Sequence, residues 1–128
     1  MRTIGLIGGM SWQSSKLYYE RINQLVAERR GGATSAQIII NSLDFAPIAR
    51  MQTEGRWKDA AAHLANAAQA LERAGADVIA IGANTMHLVA HAVVDALGTV
   101  RLVHIVEVVR DECRSRGIER LGLLGTAY

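Results

Sequence analysis

Apolar positions along the chain follow two alternating periods. Thr3 to Ile7 (TIGLI) form a short unbroken apolar run that ends in Gly8-Gly9, the pattern of a buried parallel strand stopping at a tight turn. Behind it, Leu17, Tyr18, Ile22, Leu25 and Val26 recur at helical spacing, with Ser11 or Ser14 as cap and Gly31-Gly32 as stop. The alternation then repeats. Ala36 to Ile40 predict a second strand, and NSLDFAPIARMQTEG behind it reads as a loop whose length points to a functional role. Trp57 to Ala74, with Leu64, Ala68 and Leu71 on one stripe, predict a helix closed by Gly75. Asp77 to Ile81 predict a third strand and His87 to Leu97 a third helix. Arg101 to His104 follow as a fourth strand, Val106 to Arg116 as a fourth helix and Arg120 to Leu124 as a fifth strand.

Alternation of this kind predicts an α/β fold, a three-layer parallel sheet with helices on both faces, because right-handed crossovers cover each side in turn. Ligands in such sheets gather at the carboxyl ends of the strands. Those ends are GGMS (8–11), NSLD (41–44), GANTMH (82–87), HIVE (104–107) and GTAY (125–128), where the polar residues concentrate. One internal echo disturbs a single-domain reading. IGLIGG at 4–9 and LGLLGT at 121–126 share a pattern, as if a second copy of the fold began near residue 120. The division expected is therefore an N-terminal lobe over 1–118 and, over 119–128, the opening strand of a second lobe. An apolar fifth strand without a covering helix points to a missing remainder or a tight partner.

Bulk properties narrow the setting. The 128 residues are half apolar with a formal charge of +2, which describes an ordinary globular chain and excludes disorder. Its basic residues are dispersed apart from Arg29-Arg30 and the run Arg110, Arg114, Arg116, which fits the solvated face and positive end of a helix; no nucleic-acid partner is expected. Apolar stretches are strand-sized and the N-terminus has no signal-peptide core, so no membrane association and a cytoplasmic location are expected. The single cysteine, Cys113, allows no internal disulfide and fits a reducing compartment.

The motifs leave the chemistry open between two readings. Gly5, Gly8 and Gly9 are not spaced as in the dinucleotide fingerprint, so no nucleotide cofactor is expected. That turn either only reverses the chain or offers backbone N–H groups at a helix N-terminus as a carboxylate seat. Asn84 and Thr85 stand between a strand and a helix, either as N-caps or as hydrogen-bond donors to a bound anion. His87 reads as a packed histidine. His87 and His91 are one helical turn apart but lack a third ligand, so no metal site is expected. Cys113 lies mid-helix among Asp111, Glu112 and Arg114 with no base beside it, which leaves no evident nucleophile.

Together, TIGLIGGMSWQSS, NSLDF, AGADVIAIGANTMH and GLLGT resemble the N-terminal half of the aspartate/glutamate racemase family, in particular the broad-range amino-acid racemases with a C-[TA]-N-T-M-H motif. The resemblance runs over essentially the whole chain. It implies one lobe of a pseudo-symmetric two-lobe fold, a cofactor-independent isomerase without pyridoxal phosphate, acidic or broad-range amino acids such as aspartate and glutamate as substrates, and a homodimer. In that family one cysteine per lobe faces the substrate α-carbon; one thiolate removes its proton and the other thiol returns one. Carried over, Gly9, Met10, Ser11, Gln52 and Thr126 would contact substrate, and Asn84 and Thr85 would bind its α-carboxylate.

Two departures change the expectation. The first-lobe cysteine should stand at residue 82, which here is Gly82, and the second-lobe cysteine has no counterpart in these residues. The chain is thus expected to be inactive alone. Glycine at this position also resembles the arylmalonate decarboxylases, so a one-cysteine decarboxylase or isomerase of the same superfamily is a second reading. A non-catalytic carboxylate-binding module is a third.

Overall fold

The computed structural model describes residues 1–128. Four parallel strands, β1 (Ile4–Gly8), β2 (Ile38–Ser42), β3 (Val78–Ile81) and β4 (Arg101–Val103), form one sheet in the order β2-β1-β3-β4. The register is continuous: Leu6 pairs with Ile40 on one side and with Ala80 on the other. Helices α1 (Trp12–Arg30), α2 (Phe45–Thr53), α3 (Trp57–Arg73), α4 (Ala90–Ala96) and α5 (Ile105–Ser115) connect and follow the strands. The α/β expectation holds, with helices on both faces.

Close packing on β1 explains its glycines. A β-carbon at Gly5 would meet Ala76 and Leu71 at the α3 end, and one at Gly8 would meet the Ser15 hydroxyl of α1 on the opposite face. The core lies on the α3 side, where Ile7, Ile79 and Ile81 pack against Leu64, Ala68 and Leu71 of α3 and Val93 of α4, all buried. α1 is more weakly seated and buries only Ser15.

Three elements differ from the sequence-based expectation. The segment read as a loop after β2 contains α2, capped by Asp44, whose carboxylate accepts from the Ala46 N–H at 3.0 Å. Pro47 sits in its first turn, where a missing N–H removes no intrahelical bond. The third helix opens as a 3₁₀ turn, Thr85–Val89, before α4. The predicted fifth strand is absent: residues 118–128 form no ladder, and Leu123 and Leu124 are more than nine-tenths exposed. Apolar character alone makes no strand where neither a neighbouring edge nor a covering layer receives it. α5 likewise buries none of its residues.

One carboxylate fastens the sheet's far edge. Glu72, at the end of α3, accepts N–H bonds from Gly98, Thr99 and Val100 at 3.1 to 3.2 Å. These bonds, that of Gly98 foremost, hold its carboxyl below the ordinary carboxylate value. A depressed carboxylate contributes stability above its unfolded-state value and loses it as pH falls through the folded one. Denaturant titrations of the native chain and Glu72→Gln are therefore expected to differ at neutral pH and to converge in acid. A gap that stays constant would show that the ionised form carries no special weight.

Candidate active site

The chain reverses its winding direction between β1 and β3, and the crevice at such a switch point is where α/β sheets bind ligands. A cleft of about 530 Å³ opens there. Met10 and Ser11 from the β1–α1 turn and Ser14 from the first turn of α1 form one wall, and Gly82, Ala83, Asn84 and Thr85 beyond β3 form the next. Phe45, Ala49 and Gln52 of α2 close a third side, with Thr126 and Tyr128 at the mouth. No lysine, arginine, aspartate or glutamate lines it.

Ser11 organises the first wall. It is the N-cap of α1, its hydroxyl accepting from the Ser14 N–H at 3.3 Å. Ser11 and Ser14 both line the cleft, so the positive dipole end of this 19-residue helix lies beside it. Gly9 has a different task. It does not line the cleft, and its N–H donates to the buried Ser15 hydroxyl at 3.0 Å. The glycine is thus not an open anion seat; its hydrogen bond fixes the turn that presents Met10 and Ser11.

The second wall carries Asn84 and Thr85. The Asn84 side chain makes no capping bond, contrary to one of its two sequence readings, and is free to face a ligand. Thr85 Oγ1 lies 3.1 Å from Thr126 Oγ1, so the 118–128 stretch returns to the cleft mouth. Gln52 is oriented from α2 by its amide, which donates to the Met86 sulfur at 3.0 Å. Gly82 is buried at the cleft floor, its N–H donating to the Ile7 carbonyl at 2.8 Å. A β-carbon there would stand 3.2 Å from that carbonyl oxygen and 3.3 Å from a Leu6 methyl. Cys113, the chain's one cysteine, lies on α5 outside the cleft.

Of the residues expected at the site, Met10, Ser11, Gln52, Gly82, Asn84, Thr85 and Thr126 come together and Gly9 stands behind them. Sequence reading missed Tyr18, Phe45 and Ala49. The Asp44 cap ahead of an early proline was the available signal for the last two. No group of three or more His, Cys, Asp or Glu side chains is arranged to hold a metal ion, and no helix is long and apolar enough to cross a membrane.

Comparison with known proteins decides the ancestry. The model of the Asp/Glu/hydantoin racemase family matches residues 7–128. The chain belongs to the Asp/Glu/hydantoin racemase family. Two solved structures are similar over all or most of the chain. A proposed Asp/Glu racemase from Yersinia pestis is 47% identical over 100% of this chain, with a TM-score of 0.95. An aspartate racemase homologue from Pyrococcus horikoshii OT3 is 36% identical over 91% of it, with a TM-score of 0.78. The chain spans 55% and 50% of the lengths of those two proteins, so this racemase-family chain corresponds to about half of each.

Proposed function

We propose that the cleft is the first-lobe half of an amino-acid racemase site, which holds the substrate α-carboxylate but contributes no proton carrier. The observation that carries this reading is the neutral cleft at the switch point, with Asn84, Thr85, Ser11 and the α1 N-terminus converging on it and Gly82 at its floor. An α-proton beside a carboxylate is a very weak acid, so racemisation needs strong hydrogen bonds to the developing charge and a base on each side of the α-carbon. Hydroxyls, an amide and a helix dipole meet the first need. Proton transfer is not met, because the cleft has no cysteine and Gly82 has no side chain.

In a longer protein with a second lobe, a thiol could approach the α-carbon from the face opposite Gly82. Such an enzyme would work without pyridoxal phosphate, on acidic or a broader range of amino acids. A one-cysteine decarboxylase or isomerase is the second reading, favoured by Gly82, where a single thiol would protonate one face only. The same resemblance supports a cytoplasmic homodimer. The test is recognition of the acid group. Calorimetry of the 128-residue chain is expected to detect aspartate or glutamate but not the corresponding α-amides. Equal binding of acid and amide would remove the carboxylate seat from the account.

A further inference from the structure

His87 stands outside the cleft but touches two of its walls. Its Nδ1 lies 3.0 Å from the Ala83 carbonyl oxygen and 3.2 Å from that of Asn84. A carbonyl can only accept, so Nδ1 carries the proton. Its Nε2 accepts from the Ile105 N–H at 3.4 Å, and a backbone N–H can only donate, so Nε2 carries none. The ring is thereby fixed as one neutral tautomer. Beside it, His104 caps α5 by accepting from the Val106 N–H through Nδ1 at 3.3 Å. The two rings meet edge to face, with centroids 4.8 Å apart. Ala83, Asn84 and Ile105 all line the cleft, so one imidazole joins the β3 side to the start of α5.

We propose that His87 is a positioning residue for the cleft: a neutral clasp that holds the Gly82–Thr85 turn against the α5 N-terminus and opens when its ring takes a second proton. A proton on Nε2 sets one donor against another at Ile105, and that N–H loses its acceptor. Positive charge on the neighbouring His104 would further disfavour a proton on the His87 ring. The titratable groups sharing the surface around the ring are His104 from the β4–α5 turn and Tyr128 from the 118–128 stretch. Neither α3 nor α4 adds a charged group to those that perturb it; burial is the foremost influence and lowers its affinity for the proton. The neutral ring is therefore present at neutral pH. The clasp is lost only as pH falls below the ordinary histidine range and through the lowered folded-state value.

The claim that the clasp governs ligand binding rests on the reading of the cleft as an amino-acid site; the clasp itself does not. Nitrogen-15 NMR of the 128-residue chain, titrated from about pH 7.5 to about pH 5, follows the ring and the amides together. The Ile105 and Asn84 amide shifts are expected to move with the protonation of His87 and with the same midpoint. In His87→Gln, which keeps a donor and an acceptor but does not titrate in this range, the Asn84 step should vanish and the Ile105 amide should keep only the response that comes from its neighbour His104. His87→Phe removes both bonds; if it does not fold, His87→Gln alone decides. An Ile105 amide indifferent to the ring, or an unchanged step in His87→Gln, overturns the clasp. Calorimetry with aspartate at the two ends of the range is expected to show about tenfold weaker binding in acid for the native chain, and a constant affinity for His87→Gln. Equal acid weakening in both would refute the clasp's role in binding. Absence of aspartate binding at every pH would refute the cleft reading while leaving the NMR result to judge the clasp.

Discussion

Gly9→Ala is expected to cost about 4 kcal/mol or more and to leave little folded chain at room temperature. Gly9 has φ +86°, a backbone region open to glycine, and an added methyl would overlap the backbone nitrogen and carbonyl oxygen of Leu43. Backbone cannot rotate away as a side chain can. Leu43 N–H also donates to the Gly8 carbonyl at 3.0 Å, so any relief would pull the β1 and β2 ends apart. Gly75 provides the control: its φ is +93°, yet a β-carbon there meets nothing within 4 Å. Gly75→Ala should therefore show only the left-handed backbone penalty, about 1–2 kcal/mol. Chemical denaturation of both variants separates overlap from conformation. Equal losses would mean that the Gly9–Leu43 approach is looser than described.

The combined change Asn84→Ala and Thr85→Val is expected to weaken amino-acid binding roughly 100-fold while leaving the fold in place. Each removed donor to a carboxylate is worth about 1.5 kcal/mol, or about tenfold, and in the proposed site the two would bind one group. Stability should change little, because the Asn84 side chain caps nothing and the only side-chain partner of Thr85 is the exposed Thr126 hydroxyl. Calorimetry gives the affinity and thermal unfolding the stability. Undiminished binding would move the carboxylate to the Ser11 side of the cleft. A large drop in melting temperature would show that these residues serve the fold first.

Much of the architecture was legible because it rests on local periodicity. Strand ends at Gly8 and Gly82, a serine cap at Ser11 or Ser14 and the α3 stripe of Leu64, Ala68 and Leu71 all follow from short-range pattern. Elements that depend on distant partners were not legible. α2 was hidden by Pro47, which is harmless in a first turn but reads as a loop signal. The 120–124 run has strand composition, yet nothing in the chain pairs with it. Occupation of the Gly9 N–H depends on Ser15, one turn into α1, and a glycine pair gives no hint of it. At the site, the ANTMH cluster (83–87) could be placed but not resolved: sequence left Asn84 between cap and ligand contact, and left His87 as a packed ring. Only the three-dimensional arrangement shows that this ring links Ala83 to Ile105.

Gly82 makes proton transfer the most exposed part of the account. The 128-residue chain should be incubated in deuterium oxide with aspartate, glutamate or a panel of neutral amino acids, and the Cα–H signal followed by proton NMR. The native chain is expected to leave that signal at the buffer-only rate, since its cleft holds no thiol, and Gly82→Cys is expected to leave the configuration of the amino acid unchanged, since one thiol serves one face of the α-carbon only. Exchange of Cα–H for deuterium above background by the purified native chain would contradict the half-site reading outright.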